Sequence, residues 1–296
     1  MVVDVDPLAD NAPPRYAIES DEEDEYNPLQ ESSLAEASSS LPDIKLVGDI
    51  SLDRPLILAS GNAGKYWAKG CSLGQQTGAV YVDETQVGLM YRPSWTRSTI
   101  IISETFARLP VVYMHSYAAK LIKELKPSRV ALLDTYPTPN YVSPYPIPLL
   151  DAPTRYLSTH DASDAIASSA ERFSPPNFIH STTSAALLAY IASSSPVEST
   201  SLDSELRATL LLLPFPRIPP PAPKLLGKSD FSHLSEDEYE WSRDMMNTVH
   251  RLLLVEVGEG LDETTRWKLP VDVGGKTSVD VPTMRAKVVV DDGMYI

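Results

Sequence analysis

Short apolar runs follow one another along the chain from about residue 45. Runs that are rich in β-branched or aromatic residues and bounded by Gly, Pro or Asp predict strands. Four such strands are Leu56–Ser60, Ala79–Asp83, Val87–Tyr91 and Thr99–Ser103. A fifth, Arg129–Leu133, contains the wholly apolar run Val130-Ala131-Leu132-Leu133, which is typical of a parallel strand buried on both faces.

Helical spacing of apolar residues appears between and after these strands. It predicts a helix over Val112–Leu125, which ends before Pro127, and a second helix over Ser181–Ser193. The strand predicted for Ala208–Leu213 follows the second helix. Strands that alternate with helices predict an α/β fold: a single domain with a mixed or mostly parallel sheet and helices on both faces.

A longer helix is predicted from Ser235 to about Val257. Ser235 suits the N-cap position, and the three acidic residues that follow it complement the positive end of the helix dipole. The broad apolar stripe of this helix includes Trp241 and Met245. Such a stripe either covers the sheet or faces a partner subunit.

Acidic residues are concentrated in the N-terminal part of the chain. The formal net charge is −15, and residues 1–43 hold twelve Asp or Glu against one Arg, a net of −11, which leaves −4 for the rest. This part includes the acidic run Ser20–Glu25 and few apolar groups, so we predict that residues 1–44 form a disordered leader. The nearly balanced body lacks a basic surface, so neither nucleic acid nor an anionic membrane is expected as a partner.

Composition also indicates the compartment. Cys71 is the single cysteine, so no internal disulfide can form, and the N-terminal residues do not resemble a signal or transit peptide. We therefore expect the protein in the cytoplasm or the nucleus. No apolar run approaches the 18 residues of a membrane span. Six prolines in residues 214–223 predict an extended proline-rich loop.

Motifs for catalysis are weak. The run Gly61-Asn62-Ala63-Gly64-Lys65 follows a strand but lacks the Ser or Thr of a phosphate loop, so its glycines indicate a tight turn. The five histidines include no pair at metal-ligand spacing. His160 with Asp161 and Asp164 is the best candidate for an imidazole oriented by a carboxylate. We therefore predict no catalytic residue, cofactor or metal, and no enzyme.

The last residues of the sequence differ in character from the body. Ala286–Val290 predicts a strand, and Asp291-Asp292-Gly293 predicts a turn that releases the chain from the sheet. Met294, Tyr295 and Ile296 then form a short tail with an aromatic residue between two apolar ones. Such a tail is suited to insertion into a pocket on a partner, because ring burial supplies energy and the carboxylate supplies orientation.

This tail resembles the hydrophobic-Tyr-any signature by which proteasome activators and certain assembly chaperones bind between alpha subunits of the proteasome core. Together with the acidic leader and the α/β body, it makes residues 45–296 similar to the proteasome assembly chaperone 1 family, whose fungal form has such a tail. The blocks that carry the resemblance in the body are Leu56–Ser60, Val130–Leu133 and Thr154–Thr159.

The resemblance implies a chaperone that pairs with a second one, proteasome assembly chaperone 2, and binds the alpha ring of the immature core particle. Met294, Tyr295 and Ile296 are then the partner-binding residues. The implied organisation is a leader over residues 1–44, a chaperone domain over 45–290 and a docking tail over 291–296.

Two other classes remain open at this point. An α/β hydrolase or nucleoside-binding enzyme has a site built from Gly61, Lys65, His160 and Asp161. A histone or nuclear-import adaptor uses the acidic leader alone.

Overall fold

The computed structural model describes residues 42–194, 206–228, 239–260 and 266–269. The chain divides into two units, Met1–Pro42 and Asp43–Ile296, and every described helix and strand belongs to the second unit. The strands are β1 Ile44–Gly48, β2 Leu56–Ser60, β3 Gln76–Val82, β4 Thr85–Tyr91, β5 Thr99–Ser103, β6 Arg129–Pro137, β7 Arg155–Ser158, β8 Glu171–Arg172 and β9 Arg207–Phe215. The helices are α1 Gly61–Gly70, α2 Val111–Leu125, α3 Asp164–Ser169, α4 Thr183–Ser194 and α5 Arg243–Glu256, with short 3₁₀ turns at Thr138–Asn140 and Leu149–Asp151.

One mixed sheet contains all the described strands, in the order β1-β3-β4-β5-β2-β6-β9-β7-β8. The central strands β5, β2, β6 and β9 are parallel. Antiparallel pairs flank them, with β4 beside β5 and β7 beside β9. The carboxyl ends of the four parallel strands therefore lie along one edge, where α/β proteins commonly place their ligand sites.

Helices cover both faces of the sheet, as the sequence predicts. One core cluster joins the sheet to α2 and α4 and includes Leu58, Tyr117 and Leu187. The other cluster joins the opposite face to α1, α3 and α5 and includes Trp67 and Leu253. Strand β2 supplies Leu56 and Leu58 to the first cluster and Ile57 and Ala59 to the second, because successive side chains on a strand point to opposite faces.

Most predicted strands and helices are confirmed within two or three residues at each end. β2 and β5 have the predicted bounds, and β6 and β9 extend beyond the predicted runs. Ile44, which the sequence analysis assigned to the leader, is instead the first residue of β1 and pairs with Val82. The boundary at residue 44 is therefore too late, because Ile44 is 7% exposed and belongs to the core.

The predicted tight turn at Gly61–Lys65 is wrong, since Gly61 begins the helix α1. Three glycines lower the helix propensity of this segment. Tertiary contacts require two of them: a Cβ atom on Gly64 would lie 2.5 Å from the backbone oxygen of Ala59, and one on Gly70 would lie 2.1 Å from the Trp267 ring. The glycines allow the helix to approach these neighbours closely.

The helix predicted from Ser235 begins only at Arg243, so the predicted N-cap is wrong. Ser242 is the N-cap, and its Oγ accepts a hydrogen bond from the Met245 backbone N–H. Helix α5 has 14 residues and is shorter than α2, which has 15. Ser235 itself lies outside the described residues.

Trp241 is 4% exposed, so the hypothesis that it faces a partner subunit is wrong. Its Nε1 donates to the Pro214 backbone oxygen at 2.7 Å, and its ring contacts Tyr66, Phe215 and Tyr239. These aromatic contacts hold the segment before α5 against the sheet.

The proline-rich loop predicted for residues 214–223 begins later than expected, because Pro214 and Phe215 are the last residues of β9. Pro214 pairs with Tyr136 of β6, while the pairing with β7 ends at Leu212. Proline lacks a backbone N–H, and it is tolerated at this position because β7 no longer pairs with β9 there. None of the described helices is long and apolar enough to cross a membrane.

Candidate functional site

The predicted docking residues Met294, Tyr295 and Ile296 lie outside the described residues, as do the predicted strand Ala286–Val290 and the acidic run Ser20–Glu25. The structure does describe a short segment that precedes the tail, residues 266–269.

Trp267 anchors this segment to α1. Its side chain is 1% exposed, and its Nε1 donates to the Trp67 backbone oxygen at 2.8 Å. The ring packs against Tyr66 and against the bare Cα of Gly70, and the Lys268 backbone N–H donates to the Gly70 carbonyl at 3.0 Å. Residues 266–269 therefore lie beside the C-terminal end of α1.

The distance that the tail can span follows from chain length. Met294 is 25 residues beyond Leu269 in the sequence. A fully extended chain spans at most about 3.5 Å per residue, so Met294 lies within about 85 Å of Leu269. Residues 294–296 therefore have room to contact a pocket on another molecule while Trp267 stays in place.

Polar side chains gather at the carboxyl edge of the parallel strands. Ser60 ends β2, Ser103 ends β5 and Asp134 lies near the end of β6. The Ser60 Oγ lies 2.8 Å from Thr183 Oγ1 and 2.6 Å from Ser184 Oγ, all of them fully buried. This cluster occupies the position of an α/β ligand site.

Glu104 joins this cluster to the start of α4. Its carboxylate accepts hydrogen bonds from the backbone N–H groups of Thr183 at 2.8 Å and Leu109 at 3.1 Å. The Glu104 backbone has φ = 55°, a left-handed conformation that is uncommon for a residue with a side chain. Burial raises the pKa of the Glu104 carboxyl, although these donors oppose the shift.

Asp134 is the second carboxyl of the cluster. Its Oδ1 accepts from the Thr135 N–H at 2.7 Å, and its Oδ2 accepts from the Thr182 hydroxyl. Burial raises the pKa of the Asp134 carboxyl to about 7, and the charge of Glu104 adds to the shift. Since both carboxyls bind protein donors around Thr182–Ser184, the cluster caps α4 and fixes it to the sheet.

His160 is oriented by a different carboxylate from the one predicted. Its Nε2 lies 3.7 Å from Glu256 Oε2, and its Nδ1 lies 3.0 Å from Ser158 Oγ. Burial lowers the pKa of the His160 imidazole. Glu256 also accepts from Ser163 and Thr209, so this network joins the end of α5 to the sheet and to α3.

The enzyme site proposed from Gly61, Lys65, His160 and Asp161 is not assembled. His160 contacts Ser158 and Glu256, whereas Lys65 lies on α1 at the rim of a groove elsewhere on the sheet. Gly61 begins α1 with no neighbouring atom within 4 Å of where its Cβ would be. Among the described residues, no group of three His, Cys, Asp or Glu is placed to hold a metal ion.

Cys71 lies in an apolar, aromatic environment. Its Sγ is 3.7 Å from His250 Nδ1, which also accepts from Trp67 Nε1 at 3.2 Å. Burial raises the pKa of the Cys71 thiol. The thiol is therefore the neutral form at physiological pH, which does not suit a nucleophile.

A groove of about 590 Å³ lies between α1 and strands β4 and β5. We call it the α1 groove. Most of its lining residues are apolar, and two lysines on α1 also line it. The lining residues are Lys65, Ala68, Lys69, Cys71, Leu73, Gly74, Leu89, Tyr91, Ile102 and Thr105.

Neither the carboxyl-edge cluster nor the α1 groove was predicted from the sequence. A signal for the cluster was present: Ser60, Ser103-Glu104 and Asp134 occur at or near the ends of predicted parallel strands. Their partners Thr182–Ser184 lie far along the chain, so the pairing itself had no local signal.

The described residues thus form an α/β protein with a mixed sheet, a closed polar cluster at its carboxyl edge and a segment, residues 266–269, that Trp267 anchors to α1. No protein-family model matches the sequence, and no curated protein matches it.

Solved structures are similar to it in fold. Pyrococcus furiosus PbaA, an archaeal homolog of proteasome-assembly chaperone, has 12% identity and a TM-score of 0.43 over 74% of this chain and 88% of its own. Pyrococcus furiosus PbaB, an archaeal proteasome activator, has 11% identity and a TM-score of 0.45 over 75% of this chain and 91% of its own. A protein of unknown function from Corynebacterium glutamicum has 10% identity and a TM-score of 0.39 over 77% of this chain and 82% of its own.

Proposed function

We propose that this chain is a proteasome assembly chaperone that resembles the assembly chaperone 1 family. It pairs with proteasome assembly chaperone 2 and binds the alpha ring of the immature core particle through Met294, Tyr295 and Ile296. The observation that carries the proposal is the sequence Asp291-Asp292-Gly293-Met294-Tyr295-Ile296, an apolar and aromatic tail that follows a polar turn. The likeness to solved structures concerns the fold alone.

The anchored segment that precedes the tail in the sequence, residues 266–269, supports this proposal. Trp267 holds the preceding segment to α1 through a buried ring and a hydrogen bond. A tail that starts from a fixed point searches a limited volume, which raises its effective concentration near a pocket once the body is bound. The body and the tail then bind the alpha ring together, with an affinity greater than that of either part.

Two changes at the tail test the docking mechanism. Tyr295→Ala removes the ring and hydroxyl, and one glycine added after Ile296 displaces the carboxylate by roughly 3.5 Å without changing a side chain. Each change should weaken binding to purified alpha rings by about 1 to 3 kcal/mol, the cost of a lost aromatic anchor or charged hydrogen bond. Titration of alpha rings with labelled chaperone, followed by fluorescence anisotropy, measures this loss.

Tyr145→Ala is the matched control, because Tyr145 is a described tyrosine with 80% of its surface exposed and lies in the body. It should bind like the unchanged chain, and none of the three variants should alter the thermal midpoint. Alpha-ring binding by the glycine-extended chain that equals that of the unchanged chain would falsify tail docking.

Pairing with proteasome assembly chaperone 2 is tested by co-expression. A stable complex of one copy of each should elute as a single species, with alpha subunits recruited by the pair. The surface for this pairing is not the Trp241 side of the segment before α5, because Trp241 is buried within this chain. A chain that stays a monomer in the presence of the second chaperone contradicts the pairing.

A further inference from the structure

The α1 groove has an unusual balance of charge for a protein with a net charge of −15. Lys65 and Lys69 are one helical turn apart on α1, and both line the groove. No Asp or Glu is among the described residues that line it. A groove with this lining favours an occupant that carries carboxylates.

The groove is suited to an apolar or aromatic side chain. Leu73, Leu89 and Ile102 line it, and the half-buried ring of Tyr91 lies at the same surface. Thr105 also lines the groove.

The last described segment of the chain, residues 266–269, lies beside the groove. Lys268 donates its backbone N–H to Gly70, the last residue of α1, and the neighbouring residues Lys69 and Cys71 line the groove. Asp291 is 22 residues beyond Leu269, a length that reaches the groove without strain.

The end of the tail also matches the groove in chemistry. The negative charges of Asp291 and Asp292 complement the two lysines, and the apolar surfaces of Met294 and Tyr295 complement the apolar lining residues. We propose that residues 291–295 bind the α1 groove of the same chain. If the tail is also the proteasome docking element, this intramolecular contact holds the docking residues until an alpha ring competes for them, a consequence that rests on the proposed function.

Zero-length cross-linking of the full chain tests this contact without any proteasome. A carbodiimide joins a lysine amine to a carboxylate that it touches, and mass spectrometry identifies the joined peptides. We expect links from Lys65 or Lys69 to Asp291 or Asp292. A mixture of isotope-labelled and unlabelled chains should give links within one chain only, at a yield that does not change on dilution.

Tyr295→Ala keeps every amine and carboxylate but removes the aromatic anchor, so it should lower the yield of these links by about tenfold, the effect of losing a modest anchor. Tyr26→Ala, next to the acidic run of the leader, is the matched control and should leave the yield unchanged. A synthetic Asp-Asp-Gly-Met-Tyr-Ile peptide in excess should also suppress the links.

Several results would overturn the proposal. Links from the two lysines to residues 20–25 identify the leader as the occupant, and links between labelled and unlabelled chains identify a second copy. Equal linking of the tail to Lys123, an exposed lysine on α2, shows contact without specificity, and the absence of links shows that the groove does not hold the tail. Since no proteasome is present, a failure here is distinct from a failure of alpha-ring binding.

Discussion

At the scale of single residues, two buried carboxyl groups lie at the carboxyl edge of the sheet. Glu104 and Asp134 are 7% and 4% exposed, and both accept hydrogen bonds from the start of α4 or the residue before it. Burial favours the neutral form of each carboxyl, whereas the donors favour the charged form. For Asp134 burial is the larger effect, because its pKa is raised to about 7.

Asp134 should therefore make the stability of the protein depend on pH. Its pKa rises from 3.8 in the unfolded chain to about 7 in the folded one, so its contribution is fully present below about pH 4 and is lost as the pH rises towards 7. The free energy of unfolding of Asp134→Asn should rise relative to that of the unchanged chain between pH 4 and pH 7, by on the order of 4 kcal/mol. The difference between the two chains should be constant above pH 7. Thermal melts over this pH range measure it.

Melts of Asp161→Asn, a change at an exposed position, serve as the control for this pH series. A gap between Asp134→Asn and the unchanged chain that stays constant from pH 4 to pH 8 means that the folded protein holds Asp134 ionised.

Helix starts show how single contacts define whole elements. Helix α4 begins where Glu104 and Ser60 accept the backbone N–H groups of Thr183 and Ser184, so residues distant in sequence cap it. Helix α5 instead has a local cap, Ser242, whose hydroxyl accepts from the Met245 N–H at 3.3 Å. Both arrangements satisfy donors that a helix leaves without partners in its first turn.

Ser242→Ala should destabilise the protein by about 1 kcal/mol, because it removes the cap of α5. Ser235→Ala is the matched control, since the described residues Tyr239–Ser242 precede the helix without belonging to it. Urea denaturation of both variants measures the two changes in the free energy of unfolding. A larger loss for Ser235→Ala than for Ser242→Ala would place the helix start at Ser235 after all.

At the scale of the whole molecule, β1 decides where the folded body begins. Ile44 is buried and pairs with Val82, and Asp43 exchanges hydrogen bonds with Asp83, through the Asp83 side chain and the Asp43 backbone oxygen. Among the described strands, β1 lies at the edge of the sheet next to β3. Loss of its first residue therefore exposes core surface at that edge.

A chain that begins at Pro42 should have the same unfolding midpoint as the full chain. A chain that begins at Lys45 should unfold at a lower temperature. Removing Ile44 costs about 2 kcal/mol of buried apolar surface, which corresponds to a lower midpoint by about 4 to 8 °C for a body of this size. Differential scanning calorimetry of the two truncated chains and the full chain measures this. Equal midpoints for both truncations would place the start of the body at or after Lys45.

The sequence by itself determined the elements whose signal is local. The apolar runs of β2, β5, β6 and β9 and the helical repeat of α2 reflect burial on one or both faces, which period and length reveal, and they establish the α/β class with helices on both faces. The proposal of alpha-ring binding also comes from the sequence, because it depends on the residue types of Met294–Ile296.

Only the tertiary structure decided the features that depend on distant partners. Ser60 and Glu104 meet the start of α4 across 124 and 79 residues, and no local pattern contains such a pairing. The glycine-rich helix α1 packs closely against the end of β2 and against Trp267. A Cβ atom on Gly64 or Gly70 would clash at these two contacts. Trp241 is buried because Phe215 and Tyr66 enclose it, whereas helical spacing alone could not distinguish a face that meets the sheet from one that meets a partner.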